Sequence, residues 1–82
     1  MLAYVVLSDS IIHGNQSHGL HGVYKSKDDA KRTAMSTIAS IASKQKVIIG
    51  PCDIQYENDG MELSFCNNSI DIYVSCIEQE IQ

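Results

Sequence analysis

The order of apolar and polar positions along this 82-residue chain predicts strands at both ends and one helix between them. Residues 2–7 form an apolar run rich in β-branched and aromatic side chains, and residues 22–25 form a shorter one, so both segments are predicted strands. Because the first run is apolar almost throughout, we expect it to lie inside a sheet rather than at an edge. The second strand is expected to run antiparallel to it.

A helix is predicted from Ser26 to about Lys44. Serine is a favoured N-cap residue, and Asp28 and Asp29 place two carboxylates in the first turn, where they complement the helix dipole. Apolar residues then recur every three or four positions. They form one stripe that contains Ala30, Ala34, Met35, Ile38, Ile41 and Ala42. The opposite face carries many hydroxyl groups and few charges, and we interpret it as a solvated face.

The segment after the helix contains a turn signal and a hairpin signal. Residues 47–49 form a short apolar run, predicted to be a strand, and Gly50-Pro51 ends it. Residues 54–57 and 61–65 alternate between apolar and polar side chains on either side of Asn58-Asp59-Gly60. An Asp-Gly pair between two alternating runs is a strong short-range hairpin signal.

A last strand is predicted for residues 70–81, after a turn at residues 66–69. Ile77 breaks its alternation, so we expect a bulge or the end of one-sided burial there. The whole pattern predicts a single α+β domain over residues 1–82, with a mostly antiparallel sheet and one helix packed on one face, ordered as ββα followed by a C-terminal β-meander. The sheet is expected to bury the helix stripe against Tyr4, Val6, Ile54, Leu63, Phe65, Ile70 and Ile72.

Residues 13–22 are the least regular part of the sequence, since they hold all three histidines and three of the five glycines. With the residues that precede them they predict a connection longer than about 12 residues, and such loops are usually functional or mobile. Three interpretations of residues 13–22 stay open, namely a loop without a role, a zinc site and a recognition loop. No Cys or carboxylate lies at a ligand-like spacing, so we expect no metal. The candidate binding residues are His13, Asn15, Gln16, His18, His21 and Tyr24.

Composition and charge narrow the classes of partner. The formal charge of −4 disfavours direct binding to nucleic acid, which requires clustered Lys and Arg. Three cysteines, an odd number without a Cys-x-x-Cys pair, indicate reduced thiols and hence a cytoplasmic protein. No segment resembles a signal peptide or reaches membrane-spanning length, so no membrane association is expected.

The sequence contains no recognisable catalytic motif. Its serines and cysteines lack a nucleophile elbow, and its glycines form neither a dinucleotide fingerprint nor a P-loop. The carboxylates near the predicted hairpin, at Asp53, Glu57, Asp59 and Glu62, are interpreted as solubilising charges. We therefore expect a protein without enzymatic activity and without a cofactor.

The first half of the chain resembles a pattern in small uncharacterised phage and bacterial proteins. In this pattern a strand like Tyr4-Val-Val-Leu is followed by a segment like Gly22-Val-Tyr-Lys-Ser-Lys-Asp-Asp-Ala-Lys, which opens a helix. The resemblance covers roughly the first 40 residues and includes neither residues 13–22 nor the C-terminal meander. It implies a setting rather than a site, namely accessory proteins of phages or mobile elements, many of which bind and inhibit host components such as immune systems.

Two functional hypotheses follow. In the first, the chain is a small non-enzymatic binding protein of the phage accessory or inhibitor type, which engages a host protein in the host cytoplasm through residues 13–22 and an exposed strand edge. A chain with so small a core also gains stability by dimerising, so a homodimer is a further expectation. In the second, residues 13–22 close over a small ligand, an anion or a nucleotide, and sequester it.

Overall fold

A computed structural model describes residues 1–80 of the chain and confirms the predicted α+β class. Five strands form one antiparallel sheet in the order β2-β1-β5-β4-β3, and a single α-helix packs on one face. In chain order the elements are β1 (Leu2–Ile12), β2 (Asn15–Tyr24), α1 (Lys27–Lys44), a 3₁₀ turn (Pro51–Asp53), β3 (Gln55–Glu57), β4 (Glu62–Asn67) and β5 (Ile70–Glu80).

The core lies between α1 and the inner face of the sheet. β5 is the middle strand, and its residues Ile70, Ile72, Val74 and Cys76 all point toward the helix and are buried. The predicted sheet residues are confirmed in this core, except that Tyr4 is only partly buried at its margin. The other face of the sheet carries no second layer among the described residues, and we call it the open face. The first strand is an interior strand, as expected.

The helix begins and ends close to the predicted positions. The Ser26 side chain caps it by accepting a hydrogen bond from Asp29 N–H, and the predicted apolar stripe is its buried side. One buried member of that side, Thr37, was not predicted, because the sequence pattern marks only its apolar neighbours. Lys46 has a φ of 60° just beyond the helix, and Val47 N–H donates to Ala42 O at 3.0 Å.

The predicted long loop before β2 is wrong. β1 continues through the polar residues after Leu7 to Ile12, and β2 begins at Asn15, so a two-residue turn joins two long antiparallel strands. The turn consists of His13 and Gly14, whose φ values of 52° and 82° are both positive, as a type I′ hairpin turn requires. Polar side chains are tolerated in this part of β1 because the alternating geometry of a strand places them on two different faces.

One irregularity interrupts the β1–β2 pairing. Val6 pairs with Gly22 and Leu7 pairs with Leu20, so His21 is an extra residue in β2, and Gly22 has a φ of 144°. At Ile77, where the sequence predicted a bulge or the end of one-sided burial, the pairing of β5 with β1 is continuous and the residues that follow are exposed. The end of one-sided burial is therefore the alternative that the structure supports.

The C-terminal hairpins are confirmed, whereas the predicted strand at residues 47–49 is wrong. β3 and β4 flank the predicted turn, and Asn58, Asp59 and Gly60 all have positive φ. Residues 47–49 form no strand because the backbone there closes the end of the helix instead of pairing. The predicted end of the last strand, at Ile81, lies outside the described residues. Within residues 1–80, no helix is both long enough and apolar enough to cross a membrane.

Candidate functional site

The three histidines lie on one hairpin but at three separate places. His13 is in the turn, and its N–H donates to Ser69 O at 2.8 Å, which ties the tip of this hairpin to the β4–β5 turn. His18 lies on the open face, opposite Asp9 in the register. His21 is the extra residue of the bulge, and its ring turns to the helix side. The hairpin thus separates the candidate ligands instead of gathering them.

No metal site emerges from this arrangement. Among residues 1–80, no group of three or more His, Cys, Asp or Glu side chains is placed so that it could hold a metal ion. Convergence of at least three ligands on one point is the minimum that a protein zinc site needs.

On the open face, His18 forms an exposed pair with a carboxylate. His18 Nδ1 lies 2.8 Å from Asp9 Oδ1, but the two groups are not aligned as a hydrogen bond, and this carboxylate oxygen is buried without a hydrogen-bond partner among the described residues. The two side chains are 68% and 49% exposed, so the pair contributes little to stability.

On the helix face, His21 makes a short hydrogen bond with a serine that the sequence had not singled out. Its Nε2 atom lies 2.6 Å from Ser8 Oγ. Gly19, opposite Ser8 in the register, makes room for this pair, since a Cβ atom there would lie 2.9 Å from His21 Nε2 and 3.1 Å from Ser8 Oγ. Because glycine has no Cβ atom, Gly19 leaves the hydrogen bond between Ser8 and His21 undisturbed.

The two histidine pairs do not combine into a nucleophilic relay. A serine nucleophile needs a histidine base that a third group, usually a carboxylate, orients from its other nitrogen. Here the serine pairs with His21 on the helix side, whereas the carboxylate of Asp9 pairs with His18 on the open face. The geometry therefore offers no Ser-His-Asp constellation at this hairpin.

The other three candidate binding residues also spread over both faces. Asn15 is exposed beside the turn, where it pairs with Ile12 on the helix side. Gln16 lies on the open face and lines a shallow depression of about 270 Å³. Tyr24 is partly buried against the core, with its hydroxyl 3.5 Å from His21 O. The six predicted residues are near one another in sequence but do not form one surface.

The depression on the open face has an acidic rim. Tyr73 donates a hydrogen bond to Glu62, and this bond raises the pKa of Tyr73 to about 12. Asn58 donates to the same carboxylate. Nearby, a hydrogen bond to the Asp71 carboxylate, together with its negative charge, raises the pKa of the Cys66 thiol. A thiol of raised pKa is less nucleophilic at neutral pH, so this exposed cysteine is poorly suited to catalysis.

Five apolar side chains adjoin one another on the open face across three strands. Val5 pairs with Val23 on one side and with Ile77 on the other, and Leu7 pairs with Leu20 in the next row. Leu20 is 66% exposed and Val23 55%. We call these five residues the open-face patch. Contiguous exposed apolar side chains of this kind mark protein–protein contact sites more often than scattered ones do.

The patch is continuous with an unprotected sheet edge. β2 is an edge strand for ten residues and contains no Asp, Glu, Lys, Arg or Pro. Each of the other four strands carries at least one carboxylate, and the opposite edge strand, β3, is only three residues long. Charges, proline and short length are the usual means by which proteins protect edges from pairing. In β2 only the bulge at His21 and Gly22 interrupts the edge.

The sequence interpretation centred on residues 13–22 and Tyr24 but did not single out two exposed apolar residues of the same strand, Leu20 and Val23. Leu20 and Val23 had been placed in a loop and in a short strand, so their common face was not visible. The larger side chains Gln16, His18 and Leu20 alternate with the small residues Ser17 and Gly19. This two-residue period is typical of a strand, but the glycines favoured the interpretation as a loop.

Comparison of this chain with protein-family models, with curated proteins and with solved structures finds no match.

Proposed function

We propose that this chain is a small non-enzymatic binding protein that pairs its edge strand β2 with an extended segment of a protein partner. The observation that carries the proposal is the union of a ten-residue edge without charges or proline with the open-face patch beside it. An edge strand offers unpaired backbone N–H and C=O groups, which give affinity, and side chains on alternate positions give specificity.

The chemistry of the edge defines the partner segment. It would lie as a sixth strand beside β2, with apolar side chains on the side of Leu20 and Val23. Cross-strand contacts between such side chains and Leu20 or Val23 would contribute about 0.2–1 kcal/mol each. Because the chain carries a net charge of −4, a neutral or basic segment is favoured over an acidic one.

The resemblance of the first half of the chain to phage and bacterial accessory proteins supports a biological setting for this proposal. In that setting the partner is a host protein, and pairing with its exposed segment inhibits it. A host defence component is the partner that this interpretation favours.

The test is affinity capture from a bacterial host lysate with three forms of the protein. The wild type is compared with a Leu20→Lys/Val23→Lys variant and with an Ala39→Lys/Ser43→Lys control, which adds the same charge at exposed helix positions. We expect the wild type and the control to retain the same protein and the strand variant to lose it by about tenfold or more.

Two outcomes would contradict the proposal. One is equal capture by all three forms, and the other is the absence of any protein that depends on β2. Analytical ultracentrifugation of the same three forms decides whether the partner is a second copy, because a dimer that pairs through β2 would dissociate in the strand variant alone.

A further inference from the structure

The open face of the sheet consists of an apolar half and an acidic half. The open-face patch forms the apolar half, where β2 and the adjoining parts of β1 and β5 lie side by side. On the same face, Asp9 follows Leu7 along β1. The register adds three more carboxylates on this side of β5, β4 and β3, namely Asp71, Glu62 and Glu57. Among residues 1–80 no second layer covers either half, so apolar and acidic side chains adjoin on one accessible surface.

The positive charges of the chain lie away from this face. None of the five strands, which all fall within residues 2–80, contains Lys or Arg, and all six such residues lie in α1 or within two residues of its ends. His18 adjoins Asp9, but no salt bridge within residues 1–80 involves Glu57, Glu62 or Asp71. The acidic half is therefore complementary to a partner surface that carries Lys or Arg.

The shallow depression lies within the acidic half and suits a long basic side chain. Ile11 and Tyr73 contribute apolar surface to its lining, and Asp9 and Asp71 contribute carboxylates. Lys and Arg side chains bury their apolar stems against such surfaces and keep the charged end near water. The depression therefore matches both parts of such a side chain.

Backbone hydrogen bonding determines which kind of segment can lie on this face. The face of a sheet presents side chains, because the backbone N–H and C=O groups of interior strands are already paired within the sheet. A segment on the face must therefore satisfy its own backbone groups, as a helix does. An extended segment finds unpaired backbone groups only at an edge. On the other face, α1 covers the sheet in the same way.

The dimensions of the face set the length of such a helix. Along β5 the face extends from Ile77 in the apolar half to Asp71 in the acidic half, which is about 20 Å at roughly 3.3 Å per residue. A helix covers this distance with about 13 residues at roughly 1.5 Å per residue. The helix α1 of a second copy does not fit, because its apolar stripe is buried against its own sheet.

We propose that the open face docks a basic amphipathic helix of a partner protein, with apolar side chains on the open-face patch and Lys or Arg side chains over the acidic half. This contact goes beyond the proposed pairing of β2, because it uses side chains of interior strands and needs no backbone group of the edge. Substitutions on β5, such as those of Ile77 and Asp71, therefore test the face and leave the edge unchanged.

The experiment is a fluorescence anisotropy titration of the full chain against three labelled peptides of equal length. The first has leucines at helical spacing and lysines at one end, the second has glutamates in place of the lysines, and the third has the composition of the first with leucines at alternate positions. We expect saturable binding of the first, weakened by added salt, and none of the second. Binding of the third peptide alone would overturn helix docking and leave the pairing of β2 in place. Absence of saturable binding of the first up to about 1 mM would also overturn the proposal.

Matched variants separate docking on this face from general charge attraction. Ile77→Lys should weaken binding of the first peptide by about tenfold or more, whereas Ile48→Lys, at an isoleucine that is 97% exposed outside the sheet, should not. If circular dichroism shows that Ile77→Lys is unfolded, the carboxylate pair decides. Glu62→Gln/Asp71→Asn should weaken binding about 2- to 10-fold, whereas Asp28→Asn/Glu80→Gln, the same charge change off the open face, should not. Equal effects of a face variant and its control would overturn the proposal.

Discussion

The two-residue turn between β1 and β2 yields a sharp test, because it distinguishes an ordered hairpin from the mobile loop that the sequence indicates. Gly14 has a φ of +82°, a conformation that L-residues with a Cβ atom adopt at a cost of about 1–2 kcal/mol. Nothing lies within 4 Å of the position where a Cβ atom would be added. Replacement by alanine therefore changes the backbone energy without adding a clash.

The expected magnitude combines two opposing effects. Alanine also restricts the unfolded chain, which stabilises the protein by about 0.4–1 kcal/mol. Gly14→Ala should thus lower the free energy of unfolding by about 1 kcal/mol net, which corresponds to a fall in Tm of roughly 4–8 °C for a domain of this size. Gly50→Ala is the matched control, since Gly50 has an ordinary φ of −86° and the nearest atom to an added Cβ is 3.4 Å away. This control should be neutral or slightly stabilising.

Thermal and urea unfolding, followed by circular dichroism, measure both variants. The difference between them cancels the effect on the unfolded chain and isolates the backbone cost at the turn, which we expect to be about 1–2 kcal/mol. If residues 13–22 were a mobile loop, the two variants would behave alike. A difference below about 0.3 kcal/mol would refute the hairpin turn and, with it, the continuous edge on which the proposed function depends.

Other predictions test the core, the helix cap, the acidic rim and the buried thiol. Ile38→Ala, at a fully buried position, should cost about 2–5 kcal/mol of unfolding free energy in denaturant titrations, and an effect below 1 kcal/mol would contradict the helix packing. Ser26→Ala should cost about 1 kcal/mol by the same measurement, while Ser26→Asn should retain most of the stability. Ultraviolet titration should show Tyr73 ionising near pH 12, and Glu62→Gln should move this transition toward the usual 10. Because the pKa of Tyr73 is raised in the folded state, the stabilisation from its hydrogen bond to Glu62 is complete below pH 10 and is lost as the pH rises from 10 to 12. An unchanged ultraviolet transition in Glu62→Gln would show that this hydrogen bond is not the cause of the raised pKa. A thiol reagent at neutral pH should leave Cys76 unmodified in the folded protein, because this thiol is buried and burial raises its pKa. The exposed thiols of Cys52 and Cys66 should react, and equal reaction rates for all three cysteines would contradict the burial of Cys76.

Much of the fold was predictable because it depends on local patterns. The N-cap at Ser26, the apolar stripe of α1 and the Asp59-Gly60 hairpin are each determined within a few residues, by capping, helical periodicity and turn preference. The alternation of β5 likewise indicated which of its side chains would be buried. These features need no knowledge of distant contacts.

The arrangement around the histidines could not be predicted in the same way. Glycine and histidine residues suggested a flexible connection, yet pairing with β1 orders β2, because the interior strand supplies hydrogen bonds that compensate for weak local strand propensity. Residues only three positions apart, such as Asn15 and His18, then lie on opposite faces. Whether such residues share one site therefore depends on the register, which the sequence does not state.

The sequence alone determined the class of this protein, an acidic α+β fold with a capped amphipathic helix, since these properties arise from composition and from contacts close in the chain. The tertiary structure decided which surfaces are available. It placed β2 at an edge and brought Leu20 and Val23 beside Val5 and Leu7. Each of these juxtapositions joins residues that are far apart in the chain, so their physical origin is sheet pairing and helix packing, which no local pattern encodes.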